Sequence, residues 1–312
     1  MVEVLLLFGL GLVLMVKGGD SFVDGAWWIA QVTGIPPFII AATIVSVATT
    51  MPELMVSVLA AAQGSGQIAL GNAVGSVSCN TGFILGLSVL FLPGKVERGA
   101  FRDKGVLLVL AVLSLAAFAI DGRLVWSEGV FLLILLAVFL KNNLDWARRA
   151  PFAPGEELDR DRRAAAVYLS KFVFGAVGLA AGARLLVDNG TVLARLLGVP
   201  ESVIGLTLIA LGTSLPELVT TIAALVKRQP SLSVGNIMGA NFLDMTAVPA
   251  ASAFAAGGTL PMERPGIFLD LGVVLALFLV MVPPALALGR FRRWQGAAML
   301  GLYGGYVLFL FR

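Results

Sequence analysis

Displaced along itself by 164 residues, the sequence matches: Gly18–Asn80 aligns with Gly182–Asp244 without a gap, and 16 of the 63 positions are identical. Two segments rich in Leu, Ala, Val and Gly match at aliphatic positions by composition alone. Composition does not explain Asp24/Asp188, Thr49/Thr213, Pro52/Pro216, Glu53/Glu217 and Asn72/Asn236, scarce residue types all held at one offset. The chain therefore holds two copies of one structural unit, and its fold must accommodate both.

The surroundings of those copies are apolar. Hydrophobic residues make up 58% of the chain and charged residues 13%, with a mean hydropathy of +0.94; a soluble domain carries roughly a quarter charged residues. At about 20 residues per crossing, apolar runs bounded by charges or Gly/Pro clusters predict ten helices. They fall at 2–32, 36–62, 67–93, 102–120, 125–141, 166–197, 200–226, 231–257, 267–288 and 294–311. The expected architecture is an all-α integral membrane protein with two five-helix repeats, 1–140 and 166–312, and a polar linker at 141–165. An odd number of crossings per copy makes the second enter the membrane from the opposite side. Inverted-topology repeats of this kind are the architecture of secondary transporters, with the binding site near the midplane where the repeats meet.

Basic residues give the orientation. With the N-terminus outside, 17 Lys and Arg fall on the inner side and four (Arg123, Arg195, Arg264, Arg312) on the outer, Arg184 remaining within a span. Both termini are thus expected outside and the linker in the cytoplasm, in a multi-pass protein of the cell membrane. Met1-Val2-Glu3 runs directly into Val4–Val16 with no basic leader, which reads as a retained first helix and not a signal peptide. A lone cysteine, Cys79, excludes an intrachain disulfide, and the absence of histidine removes the usual nitrogen ligands of zinc, copper and iron. The modest net charge of +3 gives no sign of a nucleic-acid partner.

The polar residues that fall within spans form matched segments. One is Thr43–Glu53 with Gly71–Asn80, the other Thr207–Glu217 with Gly235–Asp244. A proline inside a helix removes a backbone hydrogen bond, and in a membrane the freed groups must face protein or a water-filled cavity. Breaks at Pro52 and Pro216 are therefore expected to turn carbonyls of the preceding Thr49-Thr50 and Thr213-Ser214 turns into a cavity. Thr49, Thr50 and Glu53 stand at i, i+1 and i+4, so their oxygens can meet on one side; Thr213, Ser214 and Glu217 repeat this. Asn72, Ser76 and Asn80 recur every fourth residue, echoed by Asn236, Ala240 and Asp244, while Gly71/Gly75 and Gly235/Gly239 allow close approach. Crossing the two segments places Glu53, Glu217, Asp244 and Asn80 around one volume.

A single hydroxyl at such a position is ordinarily helix-to-helix glue. A carboxylate at the bilayer centre costs about 2.5–3.5 kcal/mol even on insertion scales, and two at equivalent places repel unless protonated or bridged by a cation. Carboxylates, carboxamides, hydroxyls and freed carbonyls form a hard-oxygen set that suits Ca²⁺ or Na⁺ and disfavours zinc and copper. One Ca²⁺ or several Na⁺ would neutralise the same carboxylates but not together, and mutual exclusion at one site is the physical basis of exchange.

At these residues the chain resembles the sodium/calcium exchanger branch of the cation/calcium antiporter superfamily, whose two alpha-repeats look like Gly-Thr-Ser-x-Pro-Glu followed by Gly-Asn-x-x-Gly-Ser-Asn. Here the corresponding motifs span 43–86 and 207–250. The resemblance implies that Glu53 and Glu217 bind both Ca²⁺ and Na⁺, with Thr49 and Thr213 completing the calcium site. It implies that Thr50, Ser214, Ser76 and the Ser46 and Ala210 carbonyls serve Na⁺, that Asn80 and Asp244 flank the centre, and that the first and sixth helices slide as a gating pair. The first motif reads Ala48-Thr49-Thr50, Val77 stands where the family has asparagine, and Ala240 stands where a serine would supply a sodium ligand. That lost oxygen keeps an H⁺-coupled Ca²⁺ antiporter open beside the Na⁺-coupled one, with a cation channel as the reading from another class. Neither an enzyme nor a cofactor is expected, since no His, Ser-Lys or Asp-Asp metal constellation occurs at helical spacing. The expected partners are the transported ions and the bilayer; the oligomeric state is open, a monomer included.

Overall fold

A computed structural model describes residues 1–149, 152, 161–197, 210–262 and 264–310, and of residues 210, 211, 264 and 265 the backbone only. Thr207 and most of the charged linker, including Arg160, lie outside the described residues.

The described chain is helical almost throughout. Its helices are α1 (Val2–Thr33), α2 (Pro37–Thr49), α3 (Met51–Ala62), α4 (Gly66–Phe91), α5 (Arg98–Phe118), α6 (Trp126–Arg149), α7 (Arg162–Leu196), α8 (Ala210–Thr213), α9 (Leu215–Val226), α10 (Pro230–Met245), α11 (Ala247–Ala255), α12 (Arg264–Leu288) and α13 (Arg293–Leu310). Among the described residues six helices are long and apolar enough to cross a membrane, and α2 with α3, bent by 44°, make a seventh crossing. Helix α9, the α10–α11 pair and α13 occupy the positions of the remaining expected spans.

The helix ends outrun the apolar runs. The fifth span, expected at 125–141, continues to Arg149, because Asp103 on α5 accepts from Trp146 Nε1 at 3.0 Å and Asn142 Nδ2 at 3.4 Å and so holds the polar turns in place. At the start of α7 the Asp161 side chain accepts from the Ala164 amide at 2.6 Å, and at the start of α5 Glu97 accepts from the Ala100 amide at 2.6 Å. Each satisfies an amide that the first helical turn leaves open. Hydropathy marks where lipid ends, whereas these caps mark where the helix ends.

The loops sort onto two ends as alternate crossings require. At one end strand β1 (Arg123–Val125), after α5, pairs antiparallel with β2 (Thr259–Pro261), after α11. At the other, the Val96 amide donates to the Gly289 carbonyl at 3.1 Å and Phe291 to Gly94 at 3.0 Å. Each clip joins the first half of the chain to the second.

Helices α1 and α7 hold 32 and 35 residues. At 1.5 Å per residue each is about 50 Å long, well beyond the roughly 30 Å of hydrocarbon, so they tilt or protrude. They cross antiparallel on glycines: a Cβ on Gly18 would stand 3.0 Å from the Gly175 carbonyl, and one on Gly11 3.1 Å from that of Gly182. Displacement by 164 turns Gly11 into Gly175 and Gly18 into Gly182, so the repeat exchanges the two contacts with each other. That exchange is the signature of a pseudo-two-fold axis through the crossing. The pair has its own hydrophobic cluster with parts of α2 and α9, separate from the larger core centred on α4, α5, α6, α10 and α12. The polar segments lie between these two bodies.

Candidate functional site

Neither proline lies inside a continuous helix. Pro52 falls in the first turn of α3 and Pro216 in the first turn of α9, where the missing N–H costs nothing. The breaks come at Thr50 and Ser214, one residue on each side separating the paired helices. Glu53 and Glu217 consequently sit in the first turns of their helices, where unpaired amides and the helix dipole favour negative charge. Two further irregularities have no counterpart in the sequence pattern: Ala41–Val45 in α2 and Cys79–Leu85 in α4 are π-helical. The second contains Asn80. Such π-turns recur at functional positions because they re-aim side chains and loosen the backbone ladder.

The repeats are joined by a reciprocal pair of hydrogen bonds. Thr49 Oγ1 donates to Asn236 Oδ1 at 3.2 Å, and Thr213 Oγ1 donates to Asn72 Oδ1 at 3.2 Å. The amide of each asparagine turns back to its own repeat. Asn72 Nδ2 donates to the Glu53 carbonyl at 3.1 Å and to Ser57 Oγ at 2.9 Å, and Asn236 Nδ2 donates to Thr220 Oγ1 at 3.1 Å. Each carboxamide thus ties a glutamate-bearing helix of one repeat to the broken helix of the other.

Within this frame the expected residues come together unevenly. Glu53, Glu217, Asp244, Asn80, Thr49, Thr50, Ser46, Ser76, Thr213 and Ser214 are all buried. Both carboxylate oxygens of Glu53, Glu217 and Asp244, the carboxamide of Asn80, and the hydroxyls of Thr50, Ser76 and Ser214 have no hydrogen-bond partner. Buried polar atoms without partners are rare, and each requires an explanation. Thr49 Oγ1 is engaged by Asn236 Oδ1 and the Ser46 carbonyl, whereas the Thr50 hydroxyl has no partner. Neither Thr49 nor Thr50 hydrogen-bonds to the Glu53 carboxylate, and the break at Thr50 falls between Thr49 and Glu53.

Two expectations are corrected in detail. The Ser46 hydroxyl donates to the Thr43 carbonyl at 3.0 Å, and the Ser46 carbonyl accepts from the Thr50 amide at 2.9 Å and from Thr49 Oγ1 at 3.3 Å, so that carbonyl is not freed by the break. Close packing on small residues is seen for α10, where a Cβ on Gly239 would stand 2.5 Å from the Ala42 carbonyl and from Ser46 Oγ, but not for α4, where a Cβ on Gly71 or Gly75 would meet nothing within 4 Å among the described residues. The repeat counterpart of Ala42, residue 206, lies outside the described residues, and of Ala210 only the helical backbone is described. Among the described residues no three Asp, Glu, His or Cys side chains stand close enough to hold a metal ion by themselves.

The clamp residues Asn72 and Asn236, with Ser57 and Thr220, were not among the expected site residues. The identity of both asparagines across the repeats was the available signal; their partners are set by packing. Asn241 donates to Thr81 Oγ1 at 2.7 Å, a bond without a repeat equivalent because Val77 occupies the matching position. The paired acids Asp24 and Asp188 form ion pairs: Asp24 meets Lys171 and Lys227 across helices, and Asp188 meets Arg184 one turn away at 3.6 Å on an exposed face.

Comparison with known proteins follows the same outline. The family model described as sodium/calcium exchanger protein matches residues 3–143 and 167–312. An uncharacterized membrane protein of Methanocaldococcus jannaschii is 34% identical over 297 residues, covering 95% of this chain and 94% of its own. The inner membrane protein YrbG of Escherichia coli is 35% identical over 260 residues, 80% of this chain and 79% of its own. Among solved structures, the sodium-calcium exchanger NCX_Mj soaked with 2.5 mM Na⁺ and 10 mM Sr²⁺ superimposes with a TM-score of 0.86 at 31% identity, covering 98% of both chains.

Proposed function

The chain belongs to the sodium/calcium exchanger family of membrane cation antiporters, and from that premise we propose that it exchanges Ca²⁺ for Na⁺ by alternating access around Glu53 and Glu217. The observation that carries this reading is the set of buried, partnerless oxygens drawn symmetrically from both repeats. Glu53 and Glu217 with Thr49 and Thr213 hold Ca²⁺. Thr50, Ser214 and Ser76, with backbone oxygen near Ala210, serve Na⁺, and Asn80 and Asp244 flank the centre. The engaged Ser46 carbonyl contributes only where its bonds to Thr49 and Thr50 open.

Two carboxylates match the charge of one Ca²⁺ or of two Na⁺. Either load neutralises Glu53 and Glu217, and an empty pair leaves two like charges away from water, so the loaded carrier reorients more readily than the empty one. The distinct hydrophobic cluster of α1 and α7 supports a division into a sliding pair and a site-bearing body.

Ala240 favours a second reading. It is fully buried and stands at the repeat position of Ser76, so one half of the site lacks the hydroxyl that the other has. The same helix carries Asp244 where the first repeat has Asn80. A neutral oxygen traded for an ionisable carboxylate is what H⁺-coupled Ca²⁺ antiport would require.

The two halves of the fold correspond to residues 1–140 and 166–312, with 141–165 as a cytoplasmic linker and both termini outside the cell. The excess of Lys and Arg on the linker side supports this orientation.

Uptake of ⁴⁵Ca²⁺ into Na⁺-loaded proteoliposomes tests the function, with an outward Na⁺ gradient compared to an outward H⁺ gradient of equal size. Uptake driven by Na⁺ and abolished in Glu53→Gln is expected. Uptake driven only by H⁺ selects the second reading, and normal uptake by both Glu53→Gln and Glu217→Gln removes the site.

A further inference from the structure

On the lipid-facing side of the α1–α7 crossing lies an open groove of about 620 Å³. Its walls are largely apolar, with Leu14 on α1 and Phe174 on α7, and the Phe174 ring is 73% exposed. Three cations line it as well: Lys17 from α1, and Arg163 and Lys171 from α7. Ser21 adds a hydroxyl. Lys171 meets Asp24 at 3.3 Å, whereas no ion pair joins Lys17 or Arg163 to a carboxylate among the described residues.

The pseudo-two-fold axis supplies an internal control. Under the 164-residue offset the positions of Lys17 and Lys171 correspond to Ala181 and Leu7 on the other helix of the crossing. The two lysines are therefore not demanded by the repeated scaffold. The charged groove lies at the end of α7 that adjoins the basic linker, the face assigned to the cytoplasm by its Lys and Arg content. Clustered basic side chains above an apolar wall, at the cytoplasmic edge of a helix pair, complement a phosphate headgroup with its acyl chains attached.

We infer that this groove binds an anionic phospholipid of the inner leaflet, its headgroup phosphate held by Lys17, Arg163 and Lys171 and its chain laid along Leu14 and Phe174. The ligand seats directly against both helices of the crossing, so its presence bears on how freely α1 and α7 slide. This site is separate from Glu53 and Glu217, and its occupancy is measurable whatever ion the protein carries.

The test uses the full chain purified in detergent, given dioleoyl-phosphatidylglycerol or dioleoyl-phosphatidylcholine at equal mole fraction, with retained lipid read by native mass spectrometry and the unfolding temperature recorded in parallel. Retention of phosphatidylglycerol over phosphatidylcholine is expected, together with a raised unfolding temperature in phosphatidylglycerol only. The double variant Lys17→Gln, Arg163→Gln, which leaves the Lys171–Asp24 pair in place, is expected to lose about ten-fold or more in phosphatidylglycerol retention. Val167→Trp, which fills an exposed part of the groove wall and keeps every charge, is expected to lower retention too, so a folding defect in the charge variant does not decide the matter. Equal retention of the two lipids, or a preference that survives both variants, overturns the proposal. Displacement of bound phosphatidylglycerol by soluble glycerol phosphate at equal concentration also overturns it, because the site would then recognise a free anion.

Discussion

Thr49 and Asn236, 187 residues apart in sequence, share a buried hydrogen bond of 3.2 Å from the Thr49 hydroxyl to Asn236 Oδ1. Its mirror image, Thr213 to Asn72, has the same length. A carboxamide suits this position because its oxygen accepts from the threonine of one repeat while its amide donates to the other. The clamp thereby fixes how the two glutamate-bearing helices face each other, without spending a carboxylate oxygen on the task.

Asn236→Ala removes the acceptor for Thr49 and the donor to Thr220 together. Hydrogen bonds between membrane helices average about 0.6 kcal/mol and reach about 1.7, so a loss of about 1–2 kcal/mol is expected. Equilibrium unfolding in mixed micelles measures it, with Asn72→Ala as the symmetric comparison. A change in ⁴⁵Ca²⁺ affinity that accompanies the loss would show that the clamp also positions Glu53 and Glu217.

The α1–α7 crossing tolerates added volume unequally. A Cβ on Gly175 would lie 2.6 Å from the Phe22 amide nitrogen, whereas one on Gly178 would lie 3.4 Å from Gly18 Cα, an ordinary contact. Backbone cannot rotate aside as a side chain does, so Gly175→Ala must part the helices. Gly175→Ala is expected to slow exchange by about ten-fold or more and Gly178→Ala to leave it close to wild type, both read as initial uptake rates at saturating Ca²⁺.

Ala240→Ser restores an oxygen at the repeat position of Ser76. If Na⁺ is the coupling ion, the variant is expected to lower the Na⁺ concentration for half-maximal exchange by a few-fold, on the order of one added ion–oxygen contact. Under H⁺ coupling the variant would leave the cation dependence unchanged. A titration of Ca²⁺ efflux against external Na⁺ separates the two.

Lys227, just beyond α9, meets Asp20 Oδ1 at 2.7 Å and also contacts Asp24, both on α1. Partial burial pulls its pKa down, but hydrogen bonds and charge from Asp20 and Asp24 outweigh that and hold it above the ordinary lysine value of 10.5. A raised ammonium pKa stabilises the fold fully below 10.5 and ceases to do so as the pH climbs past the raised value. Lys227→Gln is therefore expected to lower the unfolding temperature at neutral pH by a small amount, as for a partly exposed pair. The difference from wild type should vanish at strongly alkaline pH, which thermal scans across pH would show.

Much of this molecule is legible in the amino-acid order because hydrocarbon is an unforgiving solvent. Apolar runs had to become helices, since no other open element satisfies its backbone in lipid, and a 164-residue offset with an odd number of crossings required two copies related by a two-fold axis. Glu53 and Glu217 stood out for the same reason, being costly in a membrane unless they serve a purpose. Other features depend on contacts between residues distant in the chain. Thr49 pairs with Asn236 and Thr213 with Asn72 across the repeats, each asparagine amide turns back to its own repeat, and Cys79–Leu85 takes a π-turn that the residue spacing does not mark. Sequence determined which groups the membrane centre must contain, through the cost of placing them there. Tertiary structure decided which group faces which, because helix breaks and cross-repeat packing set orientation, and no local spacing encodes the direction from which a distant helix arrives.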